Sequence, residues 1–255
     1  MTRKILVLAL FLWPLAAGAD LTLTGHSTVG SLGTTLAQEE RLLIHDNWLR
    51  RDFTDRGKAY SHLYDLAKRQ VVMMDHSFRY VEIYDMAALN TVTQVSAPAE
   101  KLDLSVAPTG RKNKLQAWSC VEHTVSSSMP ALLGNEWVTF KLKGTVWLAS
   151  GVPEQASVKT LVQAAQDPAF FLAIPTAVRV APAQARGISE IIRRLAPKGL
   201  PCMGEVDFTF EGTGPMANLA RKMPSRLGIQ YQTYSSGPIS KDVFAIPAGY
   251  SVVRR

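Results

Sequence analysis

Residues 61–83, SHLYDLAKRQVVMMDHSFRYVEI, decide the fold. Three short runs in this stretch, Ser61–Leu66, Val71–Asp75 and Phe78–Ile83, are separated by the polar segments AKRQ and HS. Runs of this length bounded by turn-forming segments are typical of β-strands. Because such short connections join strands of opposite direction, the stretch predicts an antiparallel meander.

The meander extends towards the N terminus. Leu21, Leu23 and Val29 alternate with Thr and Ser, as in a half-buried strand. Beyond the decisive stretch, long strands are predicted over Leu115–Val125 and Trp137–Leu148. The turn-rich residues 108–114 and the polar residues 126–135 are interpreted as surface connections.

The second half of the chain adds helices. Apolar residues recur at positions i, i+3, i+4 and i+7 in three segments: Val158–Ala165, Ile188–Leu195 and Met216–Met223. Pro215 suits the first position of the third helix, and Pro224 ends it. Each segment carries one apolar stripe, so each helix is expected to pack against a sheet.

This order of elements predicts an α+β fold, in which a single curved antiparallel sheet carries about three helices on one face. A parallel sheet would need a helix between most successive strands, and the first half of the chain offers none. Because the sequence shows no repeat and no linker, residues 20–255 are predicted to form one domain.

The first 19 residues are predicted to be a cleavable signal peptide. A short basic start is followed by the uncharged apolar run Ile5–Ala17 and a small-residue site, with cleavage between Ala19 and Asp20. The run is too short to span a bilayer, although an uncut anchor is the alternative. The mature chain, 20–255, is therefore expected to be periplasmic. It contains no predicted transmembrane segment, and no cysteine near the cleavage point could carry a lipid anchor.

The two cysteines, Cys120 and Cys202, are expected to form a disulfide. An oxidising compartment and a small even number of cysteines favour one bridge. The alternative is a pair of buried free thiols. A bridge closing so long a loop is expected to contribute about 4 kcal/mol, by restricting the unfolded chain.

Signatures of catalysis are missing from the sequence. It contains no H-E-x-x-H, G-x-S-x-G, C-x-x-C or phosphate-binding loop, and its five histidines show no metal-ligand spacing. Asp75-His76 is interpreted as a turn, and Cys120 with His123 as residues on opposite strand faces. The alternating carboxylates of Glu205, Asp207 and Glu211 are interpreted as a solvated strand face. No enzyme activity, catalytic residue, cofactor or metal site is therefore predicted.

The distribution of charged residues also limits the kinds of partner that are expected. The formal net charge is +7, but lysine and arginine are scattered and form no dense basic tract. A solvated basic surface explains this pattern, and no nucleic-acid partner is expected.

Consecutive apolar residues are the most informative feature for binding. Val71–Met74 and the cluster around Phe170 break the alternation of a one-sided sheet, which predicts burial on both faces. One face is expected to pack on helices. The other either completes a thick core or lines a groove for an apolar ligand.

Several segments resemble a known family. Phe244–Tyr250 (FAIPAGY), Gly212–Met216 (GTGPM) and Thr145–Leu148 (TVWL) are similar to segments of an uncharacterised exported bacterial family in the LolA/LolB-like lipoprotein-carrier superfamily. The resemblance implies a half-barrel, a strongly curved antiparallel sheet with helices on its concave side. In the carriers that space accepts lipid chains. No functional residue of the carriers can be matched to this sequence.

Together these observations predict a periplasmic, non-enzymatic binding or carrier-like protein. Its expected ligand is a lipid, an acyl chain, a lipoprotein or another hydrophobic molecule held in an apolar cavity. Two alternatives remain open. One is an envelope protein that binds a protein partner or has a structural role, and the other is a hydrolase with an unrecognised site.

Overall fold

A computed structural model describes residues 20–31, 34–55, 57–90, 103–150, 152, 155–172, 182–222 and 225–255. The predicted signal peptide, including Ala19, lies outside the described residues. Asp20 is the first residue described. It is buried, and its carboxylate accepts hydrogen bonds from His45 Nδ1 at 2.7 Å and from the backbone N–H of Ile239 at 2.5 Å.

A single open sheet of twelve strands dominates the described chain. Its strands are β1 (Leu21–Ser31), β2 (Thr34–His45), β3 (Trp48–Asp55), β4 (Lys58–Asp65), β5 (Gln70–Asp75), β6 (Tyr80–Asp85), β7 (Asp103–Leu115), β8 (Trp118–Leu133), β9 (Glu136–Ala149), β10 (Leu200–Glu211), β11 (Ser225–Ser235) and β12 (Ser251–Arg254). Their order is β12-β6-β5-β4-β3-β2-β1-β11-β10-β9-β8-β7. Described neighbours run antiparallel, except for β12 beside β6.

The decisive stretch forms β4, β5 and β6, as its pattern predicts. Tyr64 pairs with Val71, and Val71 pairs in turn with Tyr84. The Asp75 carboxylate accepts the backbone N–H groups of Ser77 and Phe78, so this residue closes a turn, as expected from the sequence.

Five helices accompany the sheet: α1 (86–90), α2 (Gln155–Ala165), α3 (Pro168–Leu172), α4 (Pro182–Leu195) and α5 (Pro215–Arg221). Helix α2 packs over β2 and β3, α4 over β8, and α5 over β9 and β10. Gly187 lets α4 approach β9 closely, because a Cβ there would lie 2.9 Å from the ring of Phe140. Pro215 is the first residue of α5, as predicted.

The predicted α+β half-barrel with about three helices on its concave face is wrong. The protein is a largely β fold with a twelve-stranded open sheet and five helices among the described residues. The predicted bounds of two strands are also wrong, because turn-forming residues lie inside them. Strand β7 continues past Pro108 through an irregularity before Lys112, and β8 continues through Pro130 to its end at Leu133. The described pairing between β7 and β8 ends at Ser128. Pro130 lies beyond that point, so its missing N–H removes no hydrogen bond between these two strands.

Strands β2 to β6 contribute side chains to two cores, one on each face of the sheet. Alternate residues such as Ile44, Tyr64 and Val71 join the main core beneath the helices. The intervening residues form a second core with Phe244, and its buried members are Leu43, Leu63, Val72, Met74, Val81, Ile83 and Phe244. Burial of Val71, Val72 and Met74 on both faces is therefore confirmed. The C-terminal segment 236–250 packs on this second core through Phe244, with Ile239, Val243, Ile246 and Tyr250 partly buried beside it.

The disulfide between Cys120 and Cys202 is confirmed. It joins β8 to β10 across the end of β9, with a Cα–Cα distance of 6.6 Å. Both cysteines are buried in the main core. Their sequence separation of 82 residues makes the closed loop long.

Removing this bridge should lower stability substantially. We expect the double variant Cys120→Ala/Cys202→Ala to lose about 4 kcal/mol of unfolding free energy, because its unfolded chain regains the freedom of a long loop. Urea denaturation of the oxidised wild type, the reduced wild type and the variant measures this loss. Equal midpoints for all three would contradict the expectation.

The second core should be as necessary as the first. Truncating Phe244→Ala is expected to cost about 3–5 kcal/mol, because it leaves a cavity under the C-terminal segment. Phe78→Ala is the matched control, since that ring is 70% exposed. Chemical denaturation should show a large loss for the first variant and under about 1 kcal/mol for the second. Similar losses would mean that the segment adds little to stability.

Candidate functional site

An apolar cavity of about 170 Å³ lies between the helices and the sheet. Helices α2, α3 and α4 form one wall, and strands β1, β8, β9, β10 and β11 form most of the other. The apolar side chains that line it are Val125, Leu142, Val146, Leu161, Val162, Ala165, Phe170, Ile188, Ile191, Ile192, Leu195, Pro201, Val206, Leu227 and Ile229. Two of the three apolar stripes predicted from the sequence, those of α2 and α4, therefore face this space.

One part of the cavity wall is polar and carries a buried ion pair. Arg51 on β3 donates from a terminal guanidinium nitrogen to Glu40 Oε2 on β2, at 2.6 Å. Both residues are only 5% exposed. Alternation along the strands places them there, because Glu40 shares its strand face with the core residues Leu42 and Ile44.

Two hydrogen-bonding groups at this polar wall have no partner among the residues that the structure describes. They are Nε of Arg51 and Oγ of Ser27, and both residues line the cavity. Ser27 is 2% exposed, so bulk water does not satisfy its hydroxyl. Leaving a buried donor unpaired costs about 1–3 kcal/mol. Both atoms are fully buried, so a ligand in the cavity can bond to them only after a rotation of the Arg51 or Ser27 side chain.

Further titratable groups lie near the pair. Burial raises the pKa of Tyr231, which lines the cavity, and of Tyr64. Tyr64 donates its hydroxyl to the backbone carbonyl of Phe170 at 3.1 Å, which ties β4 to α3. Burial, together with the nearby Arg51 cation, lowers the pKa of His62 to about 3. His62 is therefore neutral at physiological pH.

The neutral His62 gives stability a defined pH dependence. Between pH 6.5 and about 3 the unfolded chain binds a proton at this residue, whereas the folded protein does not. Stability is therefore lost as the pH falls through this window, by up to about 1.4 kcal/mol per pH unit. We expect His62→Phe to flatten the decline in unfolding free energy measured by denaturant titration at several pH values. Parallel curves for wild type and variant would contradict this assignment.

A polar network occupies the opposite face of the sheet, beneath the C-terminal segment. Ser61 Oγ lies 2.6 Å from His76 Nε2 and 2.5 Å from Asp52 Oδ1, and it accepts from Arg50 at 3.0 Å. His76 Nδ1 is 2.7 Å from the hydroxyl of Tyr250. A serine hydroxyl beside a histidine is the pattern expected of an activated nucleophile. Whether Ser61 can act as one depends on which of the two side chains carries the proton between them.

The bonding pattern makes this network an anchor rather than a catalytic pair. Asp52 only accepts, so Ser61 donates its single proton there and uses both lone pairs for Arg50 and His76. His76 Nε2 therefore carries a proton and cannot act as a base towards Ser61. Ser61 is also buried. Because Arg50 donates to the carbonyl of Val243 and His76 contacts Tyr250, the network holds the C-terminal segment in place.

The remaining residues considered from the sequence do not form a site. Cys120 is consumed by the disulfide, and His123 Nδ1 lies 3.2 Å from the carbonyl of Val121. Glu205 and Asp207 are exposed and both pair with Arg226, which fits the predicted solvated face. Within the residues that the structure describes, no group of three or more His, Cys, Asp or Glu side chains could hold a metal ion.

Sequence reasoning missed the Arg51–Glu40 pair, although a signal was present. Glu40 is a charged residue two positions before Leu42 and four before Ile44, on the strand face that is otherwise apolar. Arg51 lies between Leu49 and Phe53 in the same way. A charge at an inward position of each of two neighbouring strands predicts a buried pair.

Comparisons with known proteins give no identity. The sequence matches no family model and no curated protein. Among solved structures it is similar to PNGF-II in a C2 crystal form, with 8% identity over 92% of this chain and a TM-score of 0.36. This chain spans 31% of that protein, and a likeness at this level carries no argument. The resemblance to the LolA/LolB-like carriers stays a prediction.

None of the helices in the described part of the chain has the length and apolar character needed to cross a bilayer.

Proposed function

We propose that this protein is a non-enzymatic binding or carrier-like protein that holds an apolar group in the cavity between α2–α4 and the sheet. The observation that carries the proposal is the cavity itself, whose lining is apolar except at the polar wall. Apolar pockets with a few convergent polar groups are the usual form of small-molecule sites.

The volume limits what the cavity accepts. Empty apolar cavities of about 150 Å³ in proteins hold one benzene molecule. A cavity of about 170 Å³ therefore fits one ring or a short stretch of an acyl chain, and not a whole diacyl lipid. The proposed cargo is a single apolar group, whether a free small molecule or the end of one chain of a lipid.

The proposed place of action is an oxidising compartment, and export to the periplasm is the simplest route to it. The buried disulfide supports this, because such bridges persist in secreted proteins and are rare in reducing cytosol. The predicted cleavage between Ala19 and Asp20 would start the mature chain at a residue already buried in the fold.

Toluene binding tests the proposal directly. Ala165 lines the cavity, so Ala165→Leu should fill part of it and weaken toluene binding about tenfold or more in isothermal titration calorimetry. Ala156→Leu is the matched control, because it makes the same change at an exposed position of the same helix. It should leave binding unchanged.

Two results would overturn the proposal. One is the absence of toluene binding to the wild type, and the other is an equal effect of both leucine variants. Mass spectrometry of an organic extract from protein purified from its native compartment complements this test, because it identifies any apolar cargo that copurifies.

A further inference from the structure

The polar wall of the cavity has a chemical preference that the apolar lining does not explain. The Arg51–Glu40 pair brings one positive and one negative charge to that wall, so the pair is neutral as a whole. The unpaired groups beside it, Nε of Arg51 and the hydroxyl of Ser27, can both donate hydrogen bonds. The site therefore offers donors without offering net positive charge.

We infer that the cavity selects an apolar group bearing a neutral hydrogen-bond acceptor, such as an ester or amide carbonyl, over a free carboxylate. This inference rests on the proposed function and specifies its ligand class. A neutral carbonyl accepts a hydrogen bond from Arg51 Nε and leaves the ion pair intact. A carboxylate would place a second negative charge beside Glu40, whose own side chain is almost completely buried, so the repulsion is only weakly screened.

The proposed ligand class offsets two energetic costs of the polar wall. A buried ion pair by itself adds little stability, because desolvation offsets the attraction between its charges. Two unpaired buried donors add a further cost, since each has left water without gaining a partner. A ligand that accepts a hydrogen bond from these donors removes part of that cost and gains affinity over a pure hydrocarbon of equal size.

The test compares three probes that share one phenyl ring: toluene, methyl benzoate and benzoate. Titration calorimetry at neutral pH with the full mature chain should give tighter binding for methyl benzoate than for toluene. Benzoate should bind about tenfold or more weakly than the ester. Any apolar cavity disfavours a charged ligand, so variants of the ion pair are needed to isolate its contribution.

The decisive variant is Glu40→Gln, which keeps the size of the side chain and a carbonyl to accept from Arg51. The remaining cation lacks its counter-charge, so benzoate binding should strengthen about tenfold or more while toluene binding stays unchanged. Glu205→Gln is the matched control, because Glu205 pairs with Arg226 on the exposed face of the sheet. It should change the affinity for none of the probes.

A second variant keeps the test valid if Glu40→Gln does not fold. Replacing both charges in Glu40→Leu/Arg51→Met retains an apolar wall, and such replacements of buried pairs are often neutral or stabilising. Methyl benzoate should then lose its advantage over toluene. Toluene binding with no ester advantage in the wild type, or an unchanged benzoate affinity in a folded Glu40→Gln, would overturn the inference. Failure of all three probes to bind would instead overturn the proposed function.

Discussion

Packing of strands β2 to β6 into two cores, one on each face of the sheet, is the constraint on which the rest of the structure depends. Successive side chains of a strand point to opposite sides, so a slip of one residue would exchange the two cores. The inward set, including Tyr64 and Val71, packs under the helices, while the outward set, including Val72 and Met74, packs under the C-terminal segment. The register of these strands is thus fixed from two sides. That rigidity determines where each polar side chain of the strands must lie.

The same constraint explains why a charged pair sits in an apolar interior. Glu40 and Arg51 occupy inward positions of neighbouring strands and cannot reach water without a change of register. Each neutralises the other, and Nε of Arg51 stays unpaired. On the outward face, Arg50 and Asp52 belong to the network that holds the C-terminal segment. Adjacent residues of β3 thus point to opposite faces of the sheet. Arg51 lines the cavity, whereas Arg50 and Asp52 anchor the C-terminal segment.

The sequence predicted the local elements well and the architecture less well. The runs within residues 61–83 became β4, β5 and β6, because short runs bounded by turn residues are a local pattern that the sequence shows directly. The stripes of α2 and α4 were visible for the same reason. The extent of β7 and β8 was not, because Pro108 and Pro130 resemble breaks and only their place in the sheet makes them tolerable. The C-terminal cover was missed too, since Phe244 packs with strand residues some 160 to 200 positions earlier in the chain.

The site itself was predicted only in outline. Apolar stripes and doubled apolar residues indicated a packed core or an apolar cavity, and the choice between them depends on tertiary distances. The polar wall depends on Ser27, Glu40 and Arg51 meeting across three strands, a contact that no local pattern encodes. The disulfide could be predicted from the sequence because only one intramolecular pairing exists for two cysteines.

The central claim is that open apolar space lies between α2–α4 and the sheet, next to Arg51 and Glu40. Diffraction from crystals pressurised with xenon tests it most directly, because xenon enters dry apolar cavities of this size. We expect xenon density in contact with Ala165, Ile188 and Val146. Well-ordered side chains filling that position, with no xenon bound there, would contradict it.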